Sequence, residues 1–276
     1  MRTGKRIQTI LSATGKILFT LVFIAPFYIS FVYAVKTKQE VAFIGLAFPT
    51  AFHWENFARA VKVSNFFTAL KNTVITTVVG TAILTIICSM ASYIIARRKT
   101  KLYNAAYYFF LGTILIPFQA MMFPLYLMMK KAGMLNTLLG FTLAKVGAQT
   151  GFCILVMTGF VKNIPIDMEE AAYIDGCGRY RSFFSIVFQL MRPIIVSTVV
   201  INALSIWNEF SMSMVLLQRN EVANIPLMTF YFFGENVVEL NLAFAVFTLS
   251  MIPILLLYLL AQKQIISGIM MGAVKG

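Results

Sequence analysis

The chain has 276 residues, of which 59% are hydrophobic and 12% charged, with a mean hydropathy of +0.82 and a formal charge of +13. A soluble domain is nearer half apolar and about a quarter charged, so too little polar side chain is present to cover a water-exposed surface, and lipid must be the solvent for much of the chain. The basic residues fall in short clusters beside apolar runs, as positive-inside flanks do, and form no stripe interleaved with aromatics, which argues against a nucleic-acid binder.

An apolar stretch of about 18 or more residues is long enough to cross the hydrocarbon core as a helix. The first covers residues 17–35, between Lys16 and Lys36. It is longer than the roughly 7 to 15 apolar residues of a signal peptide, and no small-x-small cleavage site follows cleanly, so a retained helix is expected. A second run lies between Lys71 and Arg97, and a third between Lys101 and Lys130. Pro117 and Pro124 in the third, with Gln119 between them, can kink a helix and free backbone carbonyls. The fourth, residues 138–161, contains Lys145, which is expected to snorkel to the nearby interface.

The polar stretch from Lys162 to Arg192 is longer than a connection needs. Pro165 stops a helix running in from the fourth span. Asp167 can cap the next one, with Glu170 three residues on as capping-box partner. Gly176 and Gly178 permit a sharp bend, and a second short helix is expected to present Phe183 and Ile186. Such a helix-corner-helix reads as a docking knob: paired alanines allow close approach, and Glu170 offers a charge to an Arg or Lys across a gap.

The fifth run extends from Pro193 to about Leu217, interrupted by Glu209, and the sixth lies between Glu239 and Lys263. On the fifth, Thr198, Asn202, Ser205, Glu209 and Ser213 recur at steps of three and four, one face of a helix. A charge at helix centre costs about 2.5 to 3.5 kcal/mol on insertion scales, so Glu209 should face protein or water. Two readings stay open: a solute-facing stripe, or an interhelical seam with Glu209 paired to a basic neighbour. Six spans put both termini on one side, together with the Arg97-Arg98-Lys99-Lys101 turn and the segment 162–192, and the basic excess favours that side as cytoplasmic. Lys36, Lys38, Arg59, Lys62 and Lys71 fall on the other side and dilute the signal.

Glu170-Ala171-Ala172, then Asp175-Gly176, then Phe183, Ile186 and Pro193 resemble the EAA loop of binding-protein-dependent ABC importer permeases, with Cys177 where that family usually has alanine and Gln189 where it usually has proline; Glu170, Ala171, Ala172, Asp175, Gly176 and Gly178 are the coupling residues the resemblance implies. Trp54-Glu55-Asn56-Phe57, Asn72, Ile116-Pro117-Phe118-Gln119 with Pro124, Trp207-Asn208-Glu209-Phe210 and the terminal Gly272-Ala273-Val274-Lys275-Gly276 are similar to the carbohydrate, maltose-type permeases. The resemblance implies an all-α polytopic subunit: a cytoplasmic tail over 1–16, a six-helix permease domain over 17–262 with its coupling loop at 163–192, and a tail over 263–276. It further implies that the loop engages ABC ATPase subunits, that residues 272–276 contact them, and that the subunit pairs with a second permease and receives a sugar from an extracellular or periplasmic solute-binding protein. ATP and Mg would sit on the partner ATPase, with none bound here, in a bacterial or archaeal cytoplasmic membrane. Asn202, Ser205, Asn208, Glu209 and Gln119 are the candidate path residues.

No Gly-x-x-x-x-Gly-Lys-Ser/Thr occurs, so the chain has no P-loop, and no His-Glu-x-x-His or Ser-centred elbow suggests an enzyme. Cys88, Cys153 and Cys177 have no metal-ligand spacing, and His53 is the one histidine. A self-sufficient secondary transporter is the alternative, but it would be expected to carry more intramembrane ionisable residues.

Overall fold

In lipid every backbone polar group must be satisfied within the chain, which leaves the helix as the economical answer for long apolar runs. The computed structural model describes residues 2–43, 45–232 and 239–273, and every regular element among them is helical. In chain order these are α1 (Arg2–Ala34), α2 (Lys38–Phe43), α3 (Glu55–Ser64), α4 (Phe66–Arg97), α5 (Lys101–Ile114), α6 (Phe118–Lys131) and α7 (Leu138–Val161). There follow α8 (Asp167–Ile174), α9 (Arg179–Ser182), a π turn (Phe183–Val187), α10 (Phe188–Leu190), α11 (Arg192–Trp207), α12 (Ser211–Leu216), a 3-10 turn (Asn220–Val222), α13 (Ile225–Phe232) and α14 (Leu240–Ala273).

Among the described residues, four helical segments are long and apolar enough to cross a membrane: Ser12–Ala34 in α1, α4, α7, and Leu240–Leu259 in α14. Two bent pairs raise the number to six if each counts as one crossing, namely α5 with α6 at 104° and Arg179–Leu190 with α11 at 75°. The third expected span is therefore not straight. Turn-type bonds from Leu115 N to Gly112 O (3.1 Å) and Ile116 N to Thr113 O (3.4 Å) close α5, and Pro117, extended at φ −66° and ψ 140°, starts α6. Pro124 lies inside α6 and is not where the chain turns. Each arm, at about 1.5 Å per residue, is about 21 Å long, short of a 30 Å hydrocarbon core. Within the tails expected at 1–16 and 263–276, the described residues continue the helices of their spans, because α1 begins at Arg2 and α14 runs to Ala273.

The chain divides into two compact units. The first takes residues 1–66 and 228–253. Its organising group is Asn56, whose amide donates to Ala34 O (2.9 Å) and Lys36 O (2.8 Å), at and just past the end of α1, while its own oxygen accepts from the Asn241 amide (3.2 Å). Lys36 is fully buried because its ammonium donates to Gly45 O (2.7 Å) and to Ala47 O. Thr37 and Glu40 form a reciprocal capping box at α2. The hydroxyl of Thr50 and the amide of Thr37 hold the Glu40 carboxyl down to about 2.

The second unit takes residues 67–227 and 254–276. Its apolar centre includes Leu84, Ile154, Met157, Val187, Met191 and Ile206. Asn72 donates to Glu221 O (2.9 Å) and Ala223 O (3.0 Å), fixing the connection ahead of α13. Helices α5 and α7 meet at Gly151, where a Cβ would overlap Thr113 Oγ1 and lie 2.5 Å from Phe110 O. Gly151→Ala should thus cost about 1–3 kcal/mol through overpacking, read as a lower melting temperature of the purified subunit. Gly159→Ala, on the same helix with open space around it, should leave the melting temperature unchanged or raise it.

Candidate functional site

The segment between α7 and α11 folds as two short helices about a glycine corner. The chain is already helical at Ile166, whose carbonyl accepts from Glu170 N (3.1 Å), so Asp167 sits inside the first turn and the expected Asp167–Glu170 capping box does not form. The acidic first turn of Asp167, Glu169 and Glu170 still suits the positive end of the helix dipole. At the other end Cys177 N donates to Ala172 O (2.9 Å) and Gly176 N to Tyr173 O (3.1 Å), a Schellman closure requiring the left-handed Gly176 at φ +79°. Gly178 is extended, at φ −68°, and opens α9.

The helical period then sorts the acidic pair. Glu169 and Ala172, three residues apart, are buried, whereas Glu170, Ala171 and Asp175 are exposed. Ile174 is 87% exposed and Tyr180 76%, so this loop leaves two large apolar side chains uncovered in addition to the exposed Glu170 charge. Phe183 was expected on that surface but is buried, its ring 5.1 Å from that of Tyr93, and Ile186 is half-buried. Arg97 Nε donates to Glu169 Oε1 (2.7 Å), its Nη2 donates to Ile164 O (2.9 Å), and Tyr93 OH donates to Glu169 Oε2 (2.6 Å). A cavity of about 470 Å³ opens beside this contact, lined by Tyr93, Arg97, Arg98, Glu170, Tyr173 and Tyr180 among others.

The fifth expected span breaks. Helix α11 stops at Trp207 and α12 starts at Ser211, so the polar stripe cannot continue on one face past Ser205. Glu209 lies in the break and organises it. Its Oε1 accepts from Met212 N (3.0 Å), its Oε2 from Lys145 Nζ (2.5 Å), and its backbone carbonyl from Asn224 Nδ2 (2.8 Å) and Ser213 Oγ (2.6 Å). Lys145 does not snorkel: it is 7% exposed and held by this carboxylate. A buried charge needs such a partner.

Asn202 is fully buried, with its amide 2.8 Å from Cys153 Sγ, and Ser205 donates to Gln149 Oε1 (3.3 Å), so both face α7. Thr198 bonds back to Ile194 O (2.9 Å) in its own helix. Asn208 and Gln119 are exposed, Asn208 donating to Leu204 O (3.0 Å).

Residues 88–270 match the family of binding-protein-dependent transport system inner membrane components, and the match takes in the whole α8–α12 region just described. The chain belongs to this family of ABC importer permeases. It is 34% identical, over 94% of both chains, to the probable starch degradation products transport system permease protein AmyC of Thermoanaerobacterium thermosulfurigenes. It is also 34% identical, over 91% of both, to the melibiose/raffinose/stachyose import permease protein MelC of Bacillus subtilis. The fold matches a chain in the crystal structure of a bacterial ABC transporter involved in import of the acidic polysaccharide alginate, with a TM-score of 0.81 at 23% identity, covering 94% of this chain and 97% of that one.

In the permease, Gly272 and Ala273 end α14, while Val274, Lys275 and Gly276 lie outside the described residues. Cys88 and Cys153 are buried and unbridged, Cys177 is half-buried, and no His, Cys, Asp or Glu cluster among the described residues could hold a metal. Reading the sequence missed three residues of the permease that the structure brings forward: Glu169, Arg97 and Tyr93. A signal existed, since Tyr93 and Arg97 are one helical turn apart at the end of a span.

Proposed function

We propose that the permease passes a sugar or short oligosaccharide inward across the cytoplasmic membrane, using ATP hydrolysed with Mg²⁺ on separate ABC ATPase subunits. The observation that carries the reading is the exposure of the α8–α9 segment, where Glu170, Ala171, Ile174 and Tyr180 are all uncovered. Large apolar side chains left uncovered suit a protein partner, and Glu170 suits an Arg or Lys on it. Asp175, Gly176 and Gly178 hold the shape of the knob, with Ala172 packed beneath. Both termini lie on the cytoplasmic side, a second permease completes the pair, and a solute-binding protein delivers the sugar from outside. The substrate class is supported by the relatives named for starch products and for melibiose, raffinose and stachyose. Asn208, Glu209 and Gln119 contribute to the path, with Asn202 and Ser205 behind them in the seam with α7.

Reconstitution in vesicles with the ATPase, the second permease and the binding protein tests this. Uptake of a neutral oligosaccharide should require ATP and the binding protein together. Uptake driven by an ion gradient without ATP would contradict it. The tail gives a finer prediction: deleting residues 272–276 should reduce uptake several-fold while the ATPase still co-purifies, and unchanged uptake at equal expression would make the tail passive.

A further inference from the structure

The surface loop of the permease is tied to its interior at one buried carboxylate. Glu169 is 3% exposed, and both of its oxygens are taken by side chains of a single helix, Tyr93 and Arg97 of α4. Those two are four residues apart, so they close on the carboxylate from successive turns of one face. The other arm of Arg97 holds Ile164 O (2.9 Å), so one guanidinium grips both α8 and the chain leaving α7. The Tyr93 ring packs on Phe183 of the π turn, which brings the second short helix to the same point.

The cavity of about 470 Å³ lies between the end of α4, at Tyr93, Arg97 and Arg98, and the α8–α9 segment, at Glu169, Glu170, Tyr173 and Tyr180. There α8 has open space where close packing would otherwise transmit a sideways push. Apolar contact fixes no register, whereas two charge-assisted hydrogen bonds of set direction do. We propose that Glu169, clamped by Tyr93 and Arg97, is the joint through which displacement of α8 is passed to α4. It is thereby a positioning residue for coupling, distinct from the exposed Glu170 beside it. The inference rests on the reading that α8 is where the ATPase acts.

The test uses the whole reconstituted complex and reads solute taken up per ATP hydrolysed, per assembled complex. Glu169→Gln keeps the shape of the side chain but loses the charge that Arg97 and Tyr93 grip. That ratio should fall roughly tenfold while ATPase subunits co-purify in wild-type proportion. Tyr93→Phe drops one bond and keeps the Arg97 clamp, so its ratio should fall by a smaller factor. A wild-type ratio in both variants overturns the joint. So does a loss of uptake and hydrolysis in equal proportion, which is what a purely structural residue gives. Should Glu169→Gln fail to assemble, the ratio in Tyr93→Phe decides alone. A wild-type preparation that carries no ATPase contradicts the proposed function itself, and the joint falls with it.

Discussion

Glu170→Lys should leave the permease folded and inserted but weaken its association with the ATPase by roughly 100-fold, since losing one partner of a close charge pair at an interface costs about 2–5 kcal/mol and reversal adds repulsion. The side chain is exposed in the isolated subunit, so its replacement has little to disturb there; surface changes away from special features stay within about ±0.5 kcal/mol. The separation of the two effects is the point of the experiment. Melting of the subunit alone should be unchanged, while solute-stimulated ATP turnover in the complex should be lost. Normal turnover in Glu170→Lys would remove the docking role from this face of α8. The same substitution one residue earlier has the opposite expectation for stability, because Glu169 is buried against Arg97.

Lys145→Met should destabilise the permease by about 3–5 kcal/mol, the usual cost of removing one partner from a buried ion pair. The Glu209 carboxylate would keep Met212 N as a donor but lose its countercharge, at a site where both side chains are largely shielded, 9% and 17% exposed. The break between α11 and α12 would lose its anchor to α7, and extraction from the membrane should yield aggregated protein. Combining Lys145→Met with Glu209→Gln removes both charges and should recover much of the loss, since replacing a whole buried pair is often close to neutral. Recovery identifies the pair as structural. If the double variant is stable but uptake stays low, the charges serve the path as well. Full stability of Lys145→Met alone would contradict the pairing.

The long apolar runs were legible because lipid leaves the backbone one economical solution, so hydropathy alone locates α4 and α7 closely. The Gly176 corner was legible too, since a left-handed closure needs glycine. The break at residues 208–210 was not. Composition from Pro193 to Leu217 is continuously apolar apart from a few polar side chains, and the interruption is held by Lys145, 64 residues earlier, and by Asn224, 15 later. Long-range partners of this kind leave no local trace. The distinction between Glu169 and Glu170 was hidden for another reason. Two identical neighbours differ by about 100° around a helix, and which one faces inward depends on where α8 starts. The sequence pointed to Asp167 as the cap, whereas the first helical carbonyl is that of Ile166. The sharp turn between α5 and α6 was signalled by Pro117, but a proline equally permits a mild kink, and only the end of α5 at Ile114 makes it 104°.

On the proposed function, the exposed tip of α8 is a contact surface for the ATPase. A photo-crosslinking residue placed at Ile174, which is 87% exposed at the end of α8, tests it in the intact transporting complex. The same probe at Phe23, exposed on the apolar run of α1, serves as the lipid-facing control. A covalent product with the ATPase subunit is expected from position 174 and none from position 23. A complex that transports solute yet gives no ATPase product from position 174 would contradict it.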